Sequence, residues 1–502
     1  MSAPLIAAAV ATASVAFAEV PWSAGTPDVA RFAIVIGVNQ PLPGSDYDTL
    51  RYADDDALRF AEFFESTGVD TVVLTAPDRE TAERYPRRAG LAVRPTRGQL
   101  ERSLDALEEK LRAAADRPRE LYFVFSGHGS ITSSLAYLHL FDAPFTRTDL
   151  YEQILERLPA EKKHIIIDSC HSYFLVNARG RRVAVATETE NLDRHPNAGF
   201  LLSTSDSREV QEWSGYDAGV FSYQVLGALR GAADVDGDGI VSYDEVHAYV
   251  VAANLGVKRQ DARIQPFVRR PVIDASPLFD LRHALEDVFR IPHTVAGHFF
   301  ITDDLGVRVL DANKPDDEDL WVLLPERSAH YVHHGEQVFQ LAQASLVPVP
   351  SPSQLLALNK GTVADEFRTN LFTAPLTRDF VRGISAASTQ VTRVHAAPDV
   401  AWHEDGFTLG LLGGGTVAAL IAVGLSIPYA SAVSTANAEG GTLEGAAARD
   451  RAFGLGAGII TGASVGAALL TAGVLRGVFV NRSAPSVEVG VGPNGVVVEG
   501  AF

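Results

Sequence analysis

The chain has 502 residues, of which 46% are hydrophobic and 21% charged, a balance typical of a folded globular protein. This length exceeds what one hydrophobic core usually organises, so we expect about two or three domains joined by linkers. The formal net charge of −19 argues against nucleic acid as a partner and against electrostatic attachment to anionic lipid, because both need a basic surface. The single cysteine excludes an intrachain disulfide, so its thiol is either a small buried group or a reactive one.

The first 18 residues have the pattern of a signal peptide. Residues 5–15 form an apolar stretch, and Ala16, Phe17 and Ala18 fit the small-x-small cleavage motif. The positive residues that usually precede such a stretch are missing, since the first Lys or Arg is Arg31. We therefore expect export, and a short N-terminal anchor or a mis-set start codon is the alternative.

From residue 31 onward, patterns of buried strands alternate with patterns of amphipathic helices. Apolar runs of strand length, as expected for strands covered on both faces, occur at residues 32–38, 71–75, 121–125, 164–167 and 200–203, with a closing strand at 263–271. Apolar residues recur at helical spacing over residues 54–64, 96–115 and 150–158. Thr96 and Gln99 are placed as a capping box for the second helix. The alternation predicts an α/β fold with a mostly parallel sheet flanked by helices.

Two of the predicted strands end in residues that can do chemistry. The motif Ser-Gly-His-Gly, with His128 and Gly129, follows the third strand, and Asp-Ser-Cys-His-Ser, with Asp168 and Cys170, follows the fourth. Parallel sheets bind ligands beyond the carboxyl ends of their strands, so we expect the two motifs to meet there. An imidazole beside a thiol can withdraw its proton and later protonate a leaving amine. A structural histidine and a small buried cysteine are the alternatives.

These two motifs resemble the catalytic signatures of the caspase-like cysteine peptidases, more closely the bacterial metacaspase-type members than animal caspases. Weaker similarity to the same family covers residues 32–39, 50–57 and 219–231. The resemblance implies a caspase-like domain over residues 29–275, in which Cys170 is the nucleophile and His128 the general base. It also implies that the backbone N–H groups of Gly129 and Cys170 form the oxyanion hole.

The resemblance extends to substrate specificity. In the metacaspase branch the Asp two residues before the cysteine lies in the primary pocket, and Asp168 occupies that position while Asp56 matches a second acidic position. Carboxylates there would hold a guanidinium through charge-assisted hydrogen bonds, which predicts cleavage after Arg or Lys. The alternative is that Asp168 caps the helix after its strand. Tyr173 departs from the family, whose motif often continues with Gly at this point.

Residues 234–245 match the twelve-residue EF-hand loop. Acidic residues stand at positions 1, 3 and 5, Gly239 at position 6 and a glutamate at position 12. Oxygen atoms at these positions can surround a hard cation, so we predict Ca²⁺ binding and no organic cofactor. The predicted ligands are Asp234, Asp236, Asp238, Ile240, Ser242 and Glu245. An Asp-rich turn before a helix is the alternative.

The second half of the chain predicts a different organisation. Short strand patterns indicate a small β-rich domain and linker over residues 290–400. Residues 407–427 and 453–475 are free of charge and long enough to cross the ~30 Å core of a bilayer as two helices. Residues 482–502 alternate like a β-hairpin. With an export signal, this hairpin of helices would place the protein in a bacterial cell envelope or periplasm, attached to the membrane.

The sequence therefore predicts a membrane-anchored cysteine endopeptidase that acts on protein or peptide substrates. The alternative is a catalytically silent, Ca²⁺-binding scaffold with the same fold, although such a protein would be expected to lose His128 or Cys170. A serine hydrolase is a weaker alternative, because no Gly-x-Ser-x-Gly elbow occurs near a strand end.

Overall fold

The computed structural model describes residues 22, 28–131, 136–176, 192–204, 211–259, 262–272, 277–283, 288–327, 329–342, 345–350, 366–389, 391–394, 406–438, 443–479, 487–492 and 495–500. The predicted signal peptide lies outside the described residues. Within them the strands are β1 Ala30–Val38, β2 Asp70–Thr75, β3 Arg119–Gly127, β4 Gly129–Ile131, β5 Ala136–His139, β6 Pro144–Thr146, β7 Lys162–Asp168, β8 Ala198–Thr204, β9 Glu212–Trp213, β10 Ala218–Gly219, β11 Ile240–Val241, β12 Gln265–Arg269, β13 Phe279–Asp280, β14 Val288–Ile291, β15 Gly297–Asp303, β16 Arg308–Lys314, β17 Leu320–Leu323, β18 His330–His334, β19 Gln337–Ala342, β20 Ser345–Val349, β21 Val391–Val394, β22 Val487–Gly492 and β23 Gly495–Gly500.

The α-helices of the same residues are α1 Ala53–Ser66, α2 Arg79–Arg84, α3 Pro86–Ala89, α4 Arg97–Ala113, α5 Arg147–Asp149, α6 Tyr173–Val176, α7 Val220–Gly227, α8 Tyr243–Asn254, α9 Glu366–Asn370, α10 Arg378–Thr389, α11 Gly406–Ala438 and α12 Leu443–Phe479. Helix α5 continues as a π-helical segment, Leu150–Glu156, and α7 continues as another, Ala228–Ala232.

The central sheet has the strand order β12-β8-β7-β3-β1-β2. Strands β2, β1, β3, β7 and β8 pair in parallel, and β12 pairs antiparallel with β8. Along β1, Ala33 and Val35 belong to one core cluster while Ile34 and Ile36 belong to the other. Because both faces are covered, the strand is apolar without interruption. The predicted α/β fold with a mostly parallel sheet is confirmed.

Helices cover the two faces of this sheet. Helix α4 buries Leu100, Leu104 and Leu107 on one face, while α1, α7 and α8 pack on the other. Thr96 caps α4 by accepting a hydrogen bond from the backbone N–H of Gln99. In the predicted capping box the Gln99 side chain would accept from the backbone N–H of Thr96. Its oxygen instead accepts from the Arg102 guanidinium at 2.6 Å.

Strands β14–β20, which we call the β-rich unit (residues 288–349), lie against the face of the sheet that carries α1 and α7. Five of these strands form an antiparallel sheet in the order β16-β15-β18-β19-β20, and β14 pairs with β17. Phe299, Ile301 and Leu310 of the unit belong to the same buried cluster as Phe60 and Leu229 of the helical layer. The unit therefore shares one continuous hydrophobic core with the α/β domain.

Two long apolar helices, α11 and α12, follow in the second half of the chain. Their segments Thr416–Ala438 and Glu444–Thr471 are long and apolar enough to cross a membrane, and only 7% and 12% of their most apolar stretches are buried by protein. Helix α11 extends past residue 427, where the predicted apolar segment ends, to Ala438. Pro428 removes one intrahelical hydrogen bond but does not end the helix. The helices pack closely where a Cβ at Gly458 would lie 3.0 Å from Leu425.

Candidate active site

The register of two parallel strands brings the predicted catalytic residues together. Strand β3 pairs with β7 so that Ser126 stands opposite Asp168. His128 and Cys170 each follow that pair by two residues, so they leave the same edge of the sheet next to one another. Both are buried, with 2% of the surface of each residue exposed. The sequence prediction that these two motifs meet at the carboxyl ends of their strands agrees with this register.

The hydrogen bond made by His128 defines which ring nitrogen can act as a base. Its Nε2 atom lies 2.8 Å from the backbone carbonyl of Asp48, and a carbonyl oxygen can only accept, so Nε2 carries the proton. The other nitrogen, Nδ1, is buried and has no hydrogen-bond partner among the described residues. Burial lowers the pKa of His128 below its ordinary value, although the hydrogen bond to Asp48 opposes this. The neutral ring therefore has an available lone pair on Nδ1.

Gly129 brings the two loops into direct contact. A Cβ at this position would lie 2.2 Å from the carbonyl oxygen of Cys170 and 2.7 Å from the hydroxyl of Ser169, so only a glycine fits. The Cys170 side chain packs with Leu50 and Ala53. His171 adopts a left-handed backbone conformation with φ of 58°, which costs energy for a residue with a side chain and is frequent at functional turns.

Asp56 and Asp168 form a buried pair of carboxyls around Gly219. The backbone N–H of Gly219 donates to Asp56 at 3.1 Å, and a Cβ at Gly219 would lie 2.8 Å from an oxygen of each carboxyl. Asp56 also accepts from the Ser126 hydroxyl at 2.8 Å. Asp168 accepts from the backbone N–H and the hydroxyl of Ser222, at 3.0 and 2.8 Å. The two acids predicted for the pocket are thus neighbours, and Asp168 does not cap α6.

Glu212 is a third buried acid at this position that the sequence did not indicate. Its carboxylate accepts from the backbone N–H groups of Arg51, at 3.0 Å, and Tyr52, at 2.8 Å. Strand β9 carries it, and β9 pairs with β10 so that Glu212 stands opposite Gly219. One glutamate among 62 acidic residues has no local pattern that marks it, and only the hairpin places it beside Asp56 and Asp168.

The three carboxyls share an electrostatic environment that favours a cation. Burial raises the pKa of Asp168 to about 6 and that of Glu212 to about 7. Burial and the negative charge of Asp168 raise the pKa of Asp56 well above its usual range. Burial opposes the ionised form of all three carboxyls, and the charges of Arg59 near Asp56 and of Arg51 near Glu212 offset this only in part. The cluster thus concentrates three acidic groups around Gly219.

The EF-hand-like loop brings three of its predicted ligands together at a site separate from these carboxyls. Oxygen atoms of Asp234, Asp236 and Glu245 lie within 4.8 Å of one another. Asp234 accepts from the backbone N–H of Gly239 at 3.0 Å, and Gly239 has a φ of +79°, which favours glycine. Burial and the charge of Glu245 raise the pKa of Asp234 to about 8. A divalent cation would fit this arrangement of oxygen atoms.

The other three predicted ligands lie along the same loop. Asp238 accepts from the backbone N–H of Ile240 at 2.7 Å, and Ile240 begins the short strand β11. Ser242 and Glu245 form a capping box at the start of α8. That capping box occupies one oxygen of Glu245, whose second oxygen faces the backbone N–H of Val235 at 3.3 Å.

Comparison with known families decides what this α/β domain is. Residues 30–271 match the family model described as the caspase domain of the C14 peptidases. These residues form a caspase domain. The family resemblance inferred from the two motifs is confirmed, and membership of a peptidase family implies protein substrates.

Solved structures similar to this chain include caspases and a bacterial protein. A protein of Geobacter sulfurreducens is 18% identical, with a TM-score of 0.30, over 50% of this chain and 99% of that one. Caspase-1 of Spodoptera frugiperda is 12% identical, with a TM-score of 0.30, over 51% of this chain and 93% of its own. The Drosophila initiator caspase Dronc is 9% identical, with a TM-score of 0.29, over 50% and 84%. No curated protein matches the chain.

A second histidine of the caspase domain lies next to His128 and was missed by the sequence reasoning. His139 Nδ1 accepts from the backbone N–H of Leu42 at 3.0 Å, so its Nε2 carries a proton and donates to the Ser130 hydroxyl at 2.6 Å. Burial, and the neighbouring His128, lower the pKa of His139 to about 4. The Tyr47 ring contacts both histidines, with ring centroids 5.1 Å and 5.5 Å away. His139 thus links the loop that carries Asp48 to the strand after His128.

Tyr173, the residue where the motif departs from its family, begins α6. Its ring packs edge-on against Phe267 of β12, with centroids 5.3 Å apart. Asp168, five residues earlier in the chain, accepts a hydrogen bond from Ser222 of α7. The tyrosine is accommodated at the β12 side of the sheet while the acid cluster remains assembled.

Proposed function

We propose that the protein is a membrane-anchored cysteine endopeptidase that cleaves polypeptides after Arg or Lys. The observation that carries this proposal is the pairing of Ser126 with Asp168, which brings His128 and Cys170 out of the sheet side by side. Each residue of this dyad has a role that follows from its surroundings.

His128 would act as the general base through Nδ1. With Nε2 donating to Asp48, the lone pair of Nδ1 can accept the proton of the Cys170 thiol. The thiolate then attacks the carbonyl carbon of the scissile peptide, and the N–H groups of Gly129 and Cys170 stabilise the oxygen that becomes negative. The imidazolium returns its proton to the leaving amine. Water, deprotonated by the same ring, hydrolyses the thioester and frees the thiol.

Specificity for Arg or Lys would come from the acid cluster of Asp56, Asp168 and Glu212. Three carboxyls with raised pKa values lie around Gly219, and a substrate cation would supply the positive charge that allows them to ionise. A planar guanidinium can make two parallel hydrogen bonds to a carboxylate, so Arg would be favoured over Lys. An Asp side chain would be repelled by the three carboxyls once they ionise.

Ca²⁺ binding by the loop over residues 234–245 is part of the proposal. Asp234, Asp236 and Glu245 converge, and the carbonyl of Ile240 and the side chains of Asp238 and Ser242 complete the EF-hand positions. The calcium site lies at the far end of the helical segment Val220–Ala232 from Ser222, which binds Asp168.

The proposal also includes export of the protein and anchoring to a membrane by the two apolar helices α11 and α12. Strand β21 precedes the two apolar helices, β22 follows them, and the two strands pair with each other. This pairing supports a topology in which both ends of the helical hairpin lie on one side of a bilayer, the side that would also carry the peptidase. We propose, on the signal-peptide pattern of the first 18 residues, that this is the exported side of a bacterial cell envelope.

Labelling with a chloromethyl ketone that carries an Arg side chain tests the proposal on the full chain in detergent, with and without Ca²⁺. We expect covalent modification of Cys170 and none in Cys170→Ala. An Asp-directed ketone should label far more slowly. Cys170 left unmodified by the Arg reagent in both conditions would favour a non-catalytic scaffold.

A further inference from the structure

The hairpin formed by β9 and β10 supplies two parts of the acid cluster. Glu212 of β9 contributes a carboxylate, and Gly219 of β10 contributes the backbone N–H that binds Asp56. The two residues stand opposite each other in the hairpin, so any displacement of it moves both. The open end of the hairpin is closed by one more hydrogen bond, in which the N–H of Val220, the residue after Gly219, donates to the carbonyl of Gln211 at 2.7 Å.

Tyr216, in the turn of the same hairpin, is packed among aromatic rings. The Tyr216 ring stacks on Tyr223 of α7, with centroids 3.7 Å apart and planes 11° from parallel. Trp213 packs edge-on against Tyr216 at 4.5 Å. The carbonyl of Tyr216 accepts from Arg59 of α1 at 2.9 Å. Tyr216 is buried, so the tip is held from several directions.

Two charged residues of the β-rich unit complete this packing. Arg308 of β16 lies with its guanidinium 5.5 Å from the centroid of the Tyr216 ring and 5.7 Å from that of Trp213. Asp311 of the same strand accepts from the Tyr223 hydroxyl at 2.7 Å and pairs with Arg308 at 3.0 Å. Asp311 is 1% exposed, and its charge faces Arg308, while His298 lies 2.8 Å from the same carboxylate.

We propose that the β-rich unit acts as a positioning element for specificity, in which Arg308 and Asp311 hold the β9–β10 hairpin where it completes the pocket for a basic side chain. This inference rests on the proposed peptidase function and assigns a role to residues 288–349. A planar cation over aromatic rings and a hydrogen-bonded buried carboxylate are both directional, so they fix the orientation of Tyr216 and Tyr223 as well as their burial. Without them, Glu212 and Gly219 would lose a defined position relative to Asp168.

Two alkylating reagents separate pocket geometry from thiol reactivity in the full chain. Cys170 is the only cysteine, so every alkylation reports on that residue. Iodoacetamide needs the reactive thiolate alone, whereas the Arg-directed chloromethyl ketone also needs the pocket. For Arg308→Met we expect the second-order rate constant with the ketone to fall about tenfold, as expected for the loss of a desolvated cation–π contact. The iodoacetamide rate should stay within about twofold of wild type.

A second variant and a matched control make the test independent of folding. Tyr223→Phe keeps the ring stack but removes the hydrogen bond to Asp311, and we expect about a threefold slower ketone reaction. Arg290→Met breaks the ion pair of Arg290 with Asp319 elsewhere in the β-rich unit and should change neither rate. Thermal unfolding followed by circular dichroism shows whether each variant is folded. If Arg308→Met is unfolded, the ketone rate of Tyr223→Phe decides whether the hairpin is held by this contact.

The outcomes distinguish this inference from the proposed function. Ketone rates that are unchanged in both Arg308→Met and Tyr223→Phe, or reduced equally in Arg290→Met, would overturn the positioning role while leaving the peptidase intact. Parallel losses with both reagents in a folded variant would also overturn it, since the effect would then lie at the thiol. A wild-type chain that reacts with iodoacetamide but not with the ketone would instead refute the Arg-directed peptidase.

Discussion

Gly129 lies so close to Cys170 that a Cβ on the glycine would come within 2.2 Å of the cysteine's carbonyl oxygen. This contact joins the residue after the histidine to the cysteine itself, at the edge where β3 and β7 end together. Backbone packing therefore fixes the relative position of the two loops that carry His128 and Cys170. The predictions below test how the groups around this contact act.

Replacing His128 by alanine should lower kcat by about 10²- to 10⁴-fold, the range typical of a general acid–base group. KM for an Arg substrate should change little, because His128 does not belong to the acid cluster. Steady-state kinetics with a fluorogenic Arg peptide measure both constants. His293→Ala, which alters a half-exposed histidine paired with Asp319, is the matched control. A variant that keeps more than about a tenth of wild-type kcat would contradict the assignment.

Asp168→Asn should reduce kcat/KM for Arg substrates by about 10- to 100-fold, the equivalent of losing one charge-assisted hydrogen bond. The amide can still accept from Ser222, so the loop should stay folded and thermal stability should not fall. Asp105→Asn removes the same charge from the surface of α4, where Asp105 pairs with Arg157, and should have no effect on kinetics. Equal activity of the two variants would remove Asp168 from the pocket.

The pH dependence of KM should report the ionisation of the acid cluster. Burial raises the pKa of Asp168 to about 6 and that of Glu212 to about 7, so both carboxyls are largely protonated at pH 5.5 and ionised at pH 7.5. Substrate Arg stays charged throughout and binds the ionised form. KM should therefore fall by about tenfold as the pH rises across this interval.

Glu212→Gln removes the group with the higher pKa and tests the same point. In this variant the fall in KM between pH 5.5 and 7.5 should be smaller, because one ionising carboxyl is lost and Asp168, with a pKa of about 6, remains. The acid limb of kcat should be retained, since burial sets the lowered pKa of His128 independently of Glu212. A KM that is flat with pH in the wild type would argue against carboxylates as the binding groups.

Calcium should stabilise the chain through the loop over residues 234–245. At a concentration about 100 times Kd, binding contributes about 2.7 kcal/mol, which raises Tm by about 5 to 11 °C for a domain of about 150 to 250 residues. Glu245→Gln should abolish the rise, although glutamine can still accept the hydrogen bonds of the α8 capping box. Asp316→Asn, in an exposed turn of the β-rich unit, should retain it. Scanning calorimetry of the chelated protein, before and after millimolar Ca²⁺ is added, measures the change in Tm. An unchanged Tm would exclude the calcium site.

His139 should act on catalysis by positioning the loop that orients His128. His139→Ala removes the acceptor of the Leu42 N–H and should lower kcat about tenfold with KM unchanged, because the Asp48 carbonyl loses its support. His139→Asn offers an amide oxygen near the place of Nδ1 and should recover most of kcat. Loss of activity in both variants together with lower thermal stability would indicate a purely structural role.

The amino-acid sequence by itself determined the α/β alternation, the two motifs with His128 and Cys170, and the two apolar helices. These features are local, because a strand covered on both faces must be apolar at every residue, as in β1, and a helix in lipid must be uncharged over its length. The caspase family followed from short motifs whose residues are adjacent in the chain. The ligand spacing of the calcium loop is equally local, and calcium binding itself stays a prediction.

The tertiary structure alone decided the composition of the acid cluster and the packing of the β-rich unit against the β9–β10 hairpin. Glu212 reaches Tyr52 across 160 residues of chain, and Asp311 reaches Tyr223 across 88. Such contacts depend on the register of strands and on the packing of separate layers, which no local periodicity encodes. Buried carboxyls and a buried Arg look like surface residues in the sequence, because their partners are supplied by segments far away along the chain.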